Sequence, residues 1–338
     1  MKVTRDMVAK KAGVSLATVS YVLNDSHYVS PKLKTKVLNA VEELNYHPDM
    51  MARSLVKKES RMLTIVSNGL TNPMYGEIVL GFEKAVVKNR YSLNICSGYL
   101  PMSQYLDVMI SRRIDGVYFA SLPNFITKSD LERMFDNNMC VACGYYIFPE
   151  DKRINHIDLD YEQAVNEGFD YLIKMGHKKI AYAYIDVPAE NYVNVRLNTV
   201  KKRIARGDEG VQIDIVKIDK KAESGIDTDI DIGVLCGKQI AQNLQYTAVF
   251  CCSDVFAIGV INGLKECGLS CPQDVSVLGM EDVSFSKYFT PSLTTFTFDR
   301  EKFAEKVVDI IIENIKTKQI KNKLIHMDLI ERASVKQI

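Results

Sequence analysis

Proline is scarce in this chain, nine residues, and glycine is modest at 18 of 338, so no long flexible linker is expected. No stretch approaches 18 uninterrupted apolar residues, which argues against a membrane-spanning helix. No apolar segment follows the opening Met-Lys-Val-Thr-Arg-Asp, so no secretory leader is expected. Eight cysteines without an export signal are expected as free thiols in a reducing cytoplasm. Cys140 and Cys143 have metal-knuckle spacing, but no second pair completes a site. Three strand positions apart, they would also point to opposite faces. The five histidines are scattered, and neither a metal nor a cofactor is expected. G-x-S-x-G, H-E-x-x-H, the P-loop and G-x-G-x-x-G are all missing, so no enzymatic role is expected.

What is present describes an ordinary globular chain, 47% hydrophobic and 25% charged, of a length suited to about two domains. The net charge of +1 is unevenly spread. Residues 1–60 carry ten Lys or Arg against six acids, a balance of +4, and the remainder 33 against 36, a balance of −3. A basic head on a near-neutral body suggests a polyanionic partner for the head.

Within the head, Thr4 caps a helix running to about Ala12, with Met7, Val8 and Ala12 on its apolar side. Gly13-Val14 breaks it. Ser15 caps a second helix, about Leu16 to Leu23, with Val19, Val22 and Leu23 at helical spacing. Its opposite face shows Leu16, Ala17, Ser20 and Tyr21, and Asn24-Asp25-Ser26 ends it. A third helix runs from Pro31 to about Leu44, with Leu33, Val37, Val41 and Leu44 on one stripe. Two short helices joined by a glycine turn and braced by a third make a helix-turn-helix.

The run VTRDMVAKKAGVSLATVSYVLND resembles the DNA-binding head of the lactose-repressor (LacI/GalR) family, whose pattern is close to D-V-A-x-x-A-G-V-S-x-A-T-V-S-R-V-L-N. The resemblance implies that Thr4, Ser15, Leu16, Ala17, Thr18, Ser20, Tyr21 and Asn24 face DNA. Tyr21 stands where the family usually has Arg, so bidentate guanine readout is replaced by a single hydrogen bond or by packing. LNYHPDMMARSLVKKES is similar to the family's hinge segment. It implies minor-groove roles for Ala52, Arg53 and Leu55, with Leu55 wedging into a central base step.

From about Arg61 the chain alternates strands with helices: Met62–Ser67, Tyr91–Ser97, Asp115–Ala120 and Met139–Gly144, then Lys178–Ile185, Val211–Ile218, Thr247–Cys252 and Val275–Gly279. Two such sets predict two doubly wound parallel-sheet α/β subdomains with a ligand cleft at the carboxyl ends of their strands. The family resemblance extends through TNPMYGEIVLGFEKA, RRIDGVYFAS, MGHKKIAYAY and the long run from Tyr246 to Phe296, and implies a body of periplasmic-binding-protein type. The expected division is a helix-turn-helix domain at 1–48, a hinge helix and linker at 49–60, an N-terminal effector subdomain at 61–160 with 292–318, and a C-terminal one at 161–291 with 319–338. The chain would cross between subdomains near 160, 290 and 319.

Ligand-binding residues implied by the resemblance are Asn72, Tyr75, Tyr145, Asp160, Arg196, Ser253, Glu281 and Phe298. Arg196 forks onto paired ligand oxygens. Phe298 offers an aromatic face to a sugar ring. Gly69, Ser253 and Glu281 depart from the family's usual Asp, Asn and Asp. The function expected is a repressor binding a palindromic double-stranded DNA operator as a homodimer, in the bacterial cytoplasm at the nucleoid. A small effector, a sugar or sugar derivative, would switch its operator affinity. The alternatives are a nucleoside or purine ligand, a protein corepressor, or a small-molecule binding protein or enzyme with a vestigial head. No leucine heptads are seen toward Ile338, so a dimer without a tetramerisation tail is expected.

Overall fold

A computed structural model of the protein describes all residues except 1–2, 25, 47–58, 68–69, 98–99, 122–125, 145, 187–191, 220–228 and 243–244. The expected positions Ala52, Arg53, Leu55, Gly69 and Tyr145 therefore lie outside the described residues, as does most of the proposed hinge. The chain forms two compact units, Met1–Ser60 and Arg61–Ile338.

The first unit holds helices α1 (Arg5–Ala12), α2 (Leu16–Asn24) and α3 (Pro31–Glu43). Thr4 caps α1, its hydroxyl accepting from Met7 N at 3.4 Å. Gly13 ends it at φ 64°, a left-handed conformation that costs glycine nothing, and Val14 N donates back to Ala9 O. Ser15 Oγ then accepts from Thr18 N at 3.1 Å and starts α2. Val8, Ala9, Ala12, Val19, Val22, Val37, Ala40 and Tyr46 form the core. Leu33, placed by periodicity on the apolar stripe of α3, is 36% exposed. Tyr46, beyond the helix, is buried instead.

The second unit contains two parallel sheets. Strands β1 (Met62–Val66), β2 (Ser92–Cys96), β3 (Gly116–Phe119), β4 (Cys140–Cys143) and β6 (Asn155–Leu159), with β13 (Lys323–Ile325), form six strands in the order β13-β6-β4-β3-β1-β2. The second sheet has the order β11-β10-β7-β9, from β7 (Lys179–Asp186), β9 (Gln212–Asp219), β10 (Ala248–Cys251) and β11 (Ser276–Leu278). Strands such as Gly116–Phe119 and Ala248–Cys251 are buried throughout, as central parallel strands covered on both faces must be. Cys140 and Cys143 fall into different apolar clusters on the two faces of the first sheet, which separates the thiols. Burial pushes Cys140 up to about 12.

The crossings between lobes differ from expectation in two places. The first is at Asp160, between β6 and helix α7 (Tyr161–Lys174). The chain returns after β12 (Thr295–Thr297), seven residues later than 290, because Thr294 still bridges Leu278 of the second sheet. Helix α11 (Arg300–Thr317) then packs on the first sheet, and β13 pairs with Ile157–Leu159 rather than crossing at 319. Lys321 N donates to Asn155 Oδ1, and Asn322 Oδ1 accepts from His156 N, which locks this edge. The last crossing precedes β14 (Asp328–Ile330), which pairs antiparallel with β12. Two-residue strands β5 (Tyr146–Ile147) and β8 (Tyr192–Val193) also pair antiparallel and tie the lobes together.

Candidate functional site

In the helical unit, α2 presents one free face. Leu16 is 52% exposed and Tyr21 38% exposed, with Ala17 exposed beside them, while Val19 and Val22 hold the other side in the core. The Ser15 and Thr18 hydroxyls share a hydrogen bond of 2.9 Å at the amino end of α2, where the helix dipole favours an anion. Thr18 and Ser20 are half-buried, and Thr4 is exposed at the start of α1. Asn24 is the last residue of α2. The Tyr21 ring lies 4.4 Å, centroid to centroid, from the exposed ring of His27. In the sequence His27 is only one of five scattered histidines; a Tyr and a His six residues apart carry no recognisable spacing.

In the larger unit, three of the expected ligand residues converge between the lobes. Asn72 caps helix α4 (Pro73–Lys88), its Oδ1 accepting from Met74 N at 3.0 Å. Its Nδ2 donates across the cleft to Glu281 Oε2 at 3.2 Å. Arg196, in the first turn of helix α8 (Val195–Arg206), puts Nη1 4.0 Å from Glu281 Oε1 and donates to Cys252 O at 2.8 Å. Its guanidinium lies over the Tyr161 ring, 4.6 Å from the centroid. Glu281 is 3% exposed, and burial pushes its carboxyl up to about 8 despite the nearby Arg196 charge and the Asn72 hydrogen bond.

Glu281 and Asp282 have φ of 109° and 49°, unusual for side-chain-bearing residues. Two arginines that sequence reading passed over hold this loop. Arg300 donates to the Glu281 and Asp282 carbonyls, to Phe298 O at 2.7 Å, and to Glu77 Oε2 at 3.1 Å. Arg332 donates to Asp282 Oδ1 at 2.6 Å. Ser253 caps helix α10 (Asp254–Glu266), its Oγ accepting from Phe256 N at 3.3 Å. Asp254 accepts from Ser286 Oγ, Thr295 Oγ1 and Val283 N, so it fastens the loop after Glu281 to α10. Burial pushes Asp254 up to about 7.

The other expected residues sit differently. Asp160 caps α7, accepting from Gln163 N at 3.0 Å. Tyr75 is 9% exposed and belongs to the core. Phe298 is 5% exposed, with Phe303 at 5.5 Å and the Arg300 guanidinium 4.2 Å over its ring, so its faces are taken and it makes no stacking platform.

Residues 6–49 match the model of bacterial regulatory proteins of the lacI family, and residues 169–335 match the periplasmic binding protein-like domain. The chain is 29% identical over 340 residues to the HTH-type transcriptional repressor PurR of Pasteurella multocida (strain Pm70), covering 97% of each. It is 28% identical to the protein of the same name from Vibrio atlanticus (strain LGP32), covering 98% of each. In fold it is similar to the lac repressor dimer bound to operator and the anti-inducer ONPF, with TM-score 0.79 and 23% identity, covering 99% of this chain and 100% of that one. The transcriptional regulator CelR–cellobiose complex gives TM-score 0.68 and 22% identity, covering 98% of this chain and 100% of that one.

Proposed function

We propose, since the chain belongs to the lacI family of bacterial regulatory proteins and is a ligand-controlled DNA-binding repressor, that it acts as a cytoplasmic homodimer on a palindromic operator. Its role is regulatory and not enzymatic. The free face of α2 reads the major groove through Leu16, Ala17 and Tyr21, with the Ser15 end of the helix against phosphate.

The observation that carries the switching mechanism is the Asn72–Glu281–Arg196 cluster. It joins two lobes through buried polar groups, and a ligand supplying its own hydrogen bonds exchanges with those groups. A ligand shifts the lobes only by its difference in affinity for their two arrangements. Here that difference comes from breaking or replacing the bridge between Asn72 and Glu281. The effector presents an acceptor to Arg196 and donors to Glu281. A sugar or sugar derivative meets this requirement. A nucleoside or purine meets it equally, and the burial of Phe298 removes the feature that favoured a sugar ring.

A thermal-shift panel of sugars, sugar phosphates, nucleosides and purines tests the reading. A ligand at a hundred times its dissociation constant adds about 2.7 kcal/mol and raises the midpoint by roughly 5–10 °C. Arg196→Ala is expected to abolish the shift, and the same ligand is expected to change operator affinity in a fluorescence anisotropy titration. A ligand that stabilises the protein yet leaves operator affinity unchanged would refute the switch. Silence across the panel with operator binding intact would point to a protein corepressor.

A further inference from the structure

Helices of the two lobes end in different chemistry at the same backbone position. In the second lobe, α7, α8 and α10 are each followed by a left-handed glycine, Gly176, Gly207 and Gly268, at φ 96°, 77° and 80°. In the first lobe the equivalent residue after α4 is Arg90, at φ 60°. After α5 (Met102–Ser111) it is Arg113 at φ 56°, after α6 (Lys128–Asp136) Asn138 at φ 58°, and after α11 Lys318 at φ 60°. Arg61, just before β1, is also left-handed, at φ 55°. Glycine takes this conformation without steric cost, and arginine and lysine do not. A cation at a helix carboxyl end complements the helix dipole. The second lobe meets that dipole with Lys174, Arg206 and Lys265 in the last turns and still takes glycine afterwards, so the dipole alone does not account for the cations of the first lobe.

We propose that this edge of the first sheet is a second DNA-binding surface, on which Arg61, Arg90, Arg112, Arg113 and Lys318 hold phosphates of the duplex flanking the operator. The proposal rests on the operator-binding reading above. Strands β2, β1 and β3 are parallel neighbours, with Met62 opposite Ser92 and Leu63 opposite Gly116, so Arg90, Arg61 and Arg113 enter the sheet side by side. Neighbouring strands lie about 4.8 Å apart, which sets the three arginines close enough to grip a run of phosphates, repeated about every 3.4 Å of axis on each DNA strand. Arg90, Arg112, Arg113 and Lys318 are exposed, and Arg61 is half-buried. None of the five makes an ion pair among the described residues, whereas Lys88 and Lys321 beside them are held by Glu305 and Glu313. The acids within two residues of the left-handed positions are Glu59, Asp115 and Asp136, and Asp115 accepts from Arg61 N at 2.7 Å. The guanidinium fork matches a phosphate. Residues 47–60 alone separate Tyr46, in the core of the head, from Arg61. Fully extended, that stretch spans at most about 50 Å, so the edge stays close to any duplex that the head holds.

Fluorescence anisotropy with the full-length protein tests the proposal, using an operator selected from a random duplex library. One duplex holds the operator alone, and the other extends it by about 15 base pairs at each end. The parent is expected to bind the extended duplex at least about tenfold more tightly. The triple variant Arg90→Gly, Arg113→Gly, Lys318→Gly removes three charges and gives each position the residue the second lobe uses, so the backbone is not strained by the change. It is expected to lose the gain from the extended duplex, and its slope of log affinity against log salt there is expected to fall by about 2 to 3. On the operator alone its affinity is expected to match the parent's. The double variant Arg90→Lys, Arg113→Lys keeps the charges and is expected to keep most of the gain. Equal affinity of the parent for the two duplexes would overturn the proposal and leave an acidic protein as the partner of this edge. A triple variant that keeps the gain and the salt slope, or one that loses affinity equally on both duplexes, would overturn it too. A selection that yields no operator would instead overturn the repressor reading, and this surface with it.

Discussion

Glu281→Gln should make the protein more stable in mild alkali, by a margin that shrinks steadily as pH falls toward about 4.5. Burial holds the Glu281 carboxyl near 8, against an ordinary value of 4.5. An acid raised in the folded state binds its proton more tightly there than in the unfolded chain. Stability is therefore undiminished below about 4.5 and falls as pH rises from there to about 8. Each pH unit inside that window costs about 1.4 kcal/mol, so between pH 5.5 and 8 this one group removes roughly 3 kcal/mol. For a unit of this size that is roughly 6–10 °C of thermal midpoint. Glutamine keeps an acceptor for Asn72 Nδ2 and cannot ionise. Thermal unfolding of parent and variant across pH 5.5–8 checks the argument. Asp254, held near 7, shares the sign of Glu281, and burial lowers the pKa of His177. His177 is common to both proteins and cancels in the difference; Asp254, whose charge helps to raise Glu281, does not, and its repulsion in the parent widens the difference as pH rises. A difference between variant and parent that does not grow with pH would refute the reasoning.

Three further outcomes are expected. A Cβ on Gly237 would lie 2.3 Å from Val260 O, where helix α9 (Asp229–Gln242) meets α10, so Gly237→Ala should destabilise the body by about 2 kcal/mol or more, read by denaturant unfolding; an unchanged midpoint would show that these helices separate freely. Tyr21→Arg should change base preference at one position per half-site in an operator selection, since Tyr21 stands exposed on α2; an unchanged preference would place Tyr21 off the reading face. Leu55→Ala should lose most specific operator affinity while keeping weak, salt-sensitive binding, measured by anisotropy at two salt concentrations; full specific affinity in the variant would rule out the wedge.

Sequence alone determined whatever depends on neighbours a few residues away. Thr4, Gly13 and Ser15 set the ends of α1 and α2 through hydrogen bonds spanning three to five positions, and the alternation of apolar runs announced two parallel sheets. The family resemblance singled out Asn72, Arg196 and Glu281. Only the folded chain showed that Asn72 and Glu281, 209 positions apart, hydrogen-bond across the cleft. Tertiary structure alone also decided that Lys323–Ile325 stays on the first sheet, that Phe298 is closed off beneath Arg300, and that Arg61, Arg90 and Arg113 share one sheet edge. Periodicity assigns a side chain to a face. Which partner covers that face is settled by segments that meet only in space, and the charge state and accessibility of each functional group follow from that partner.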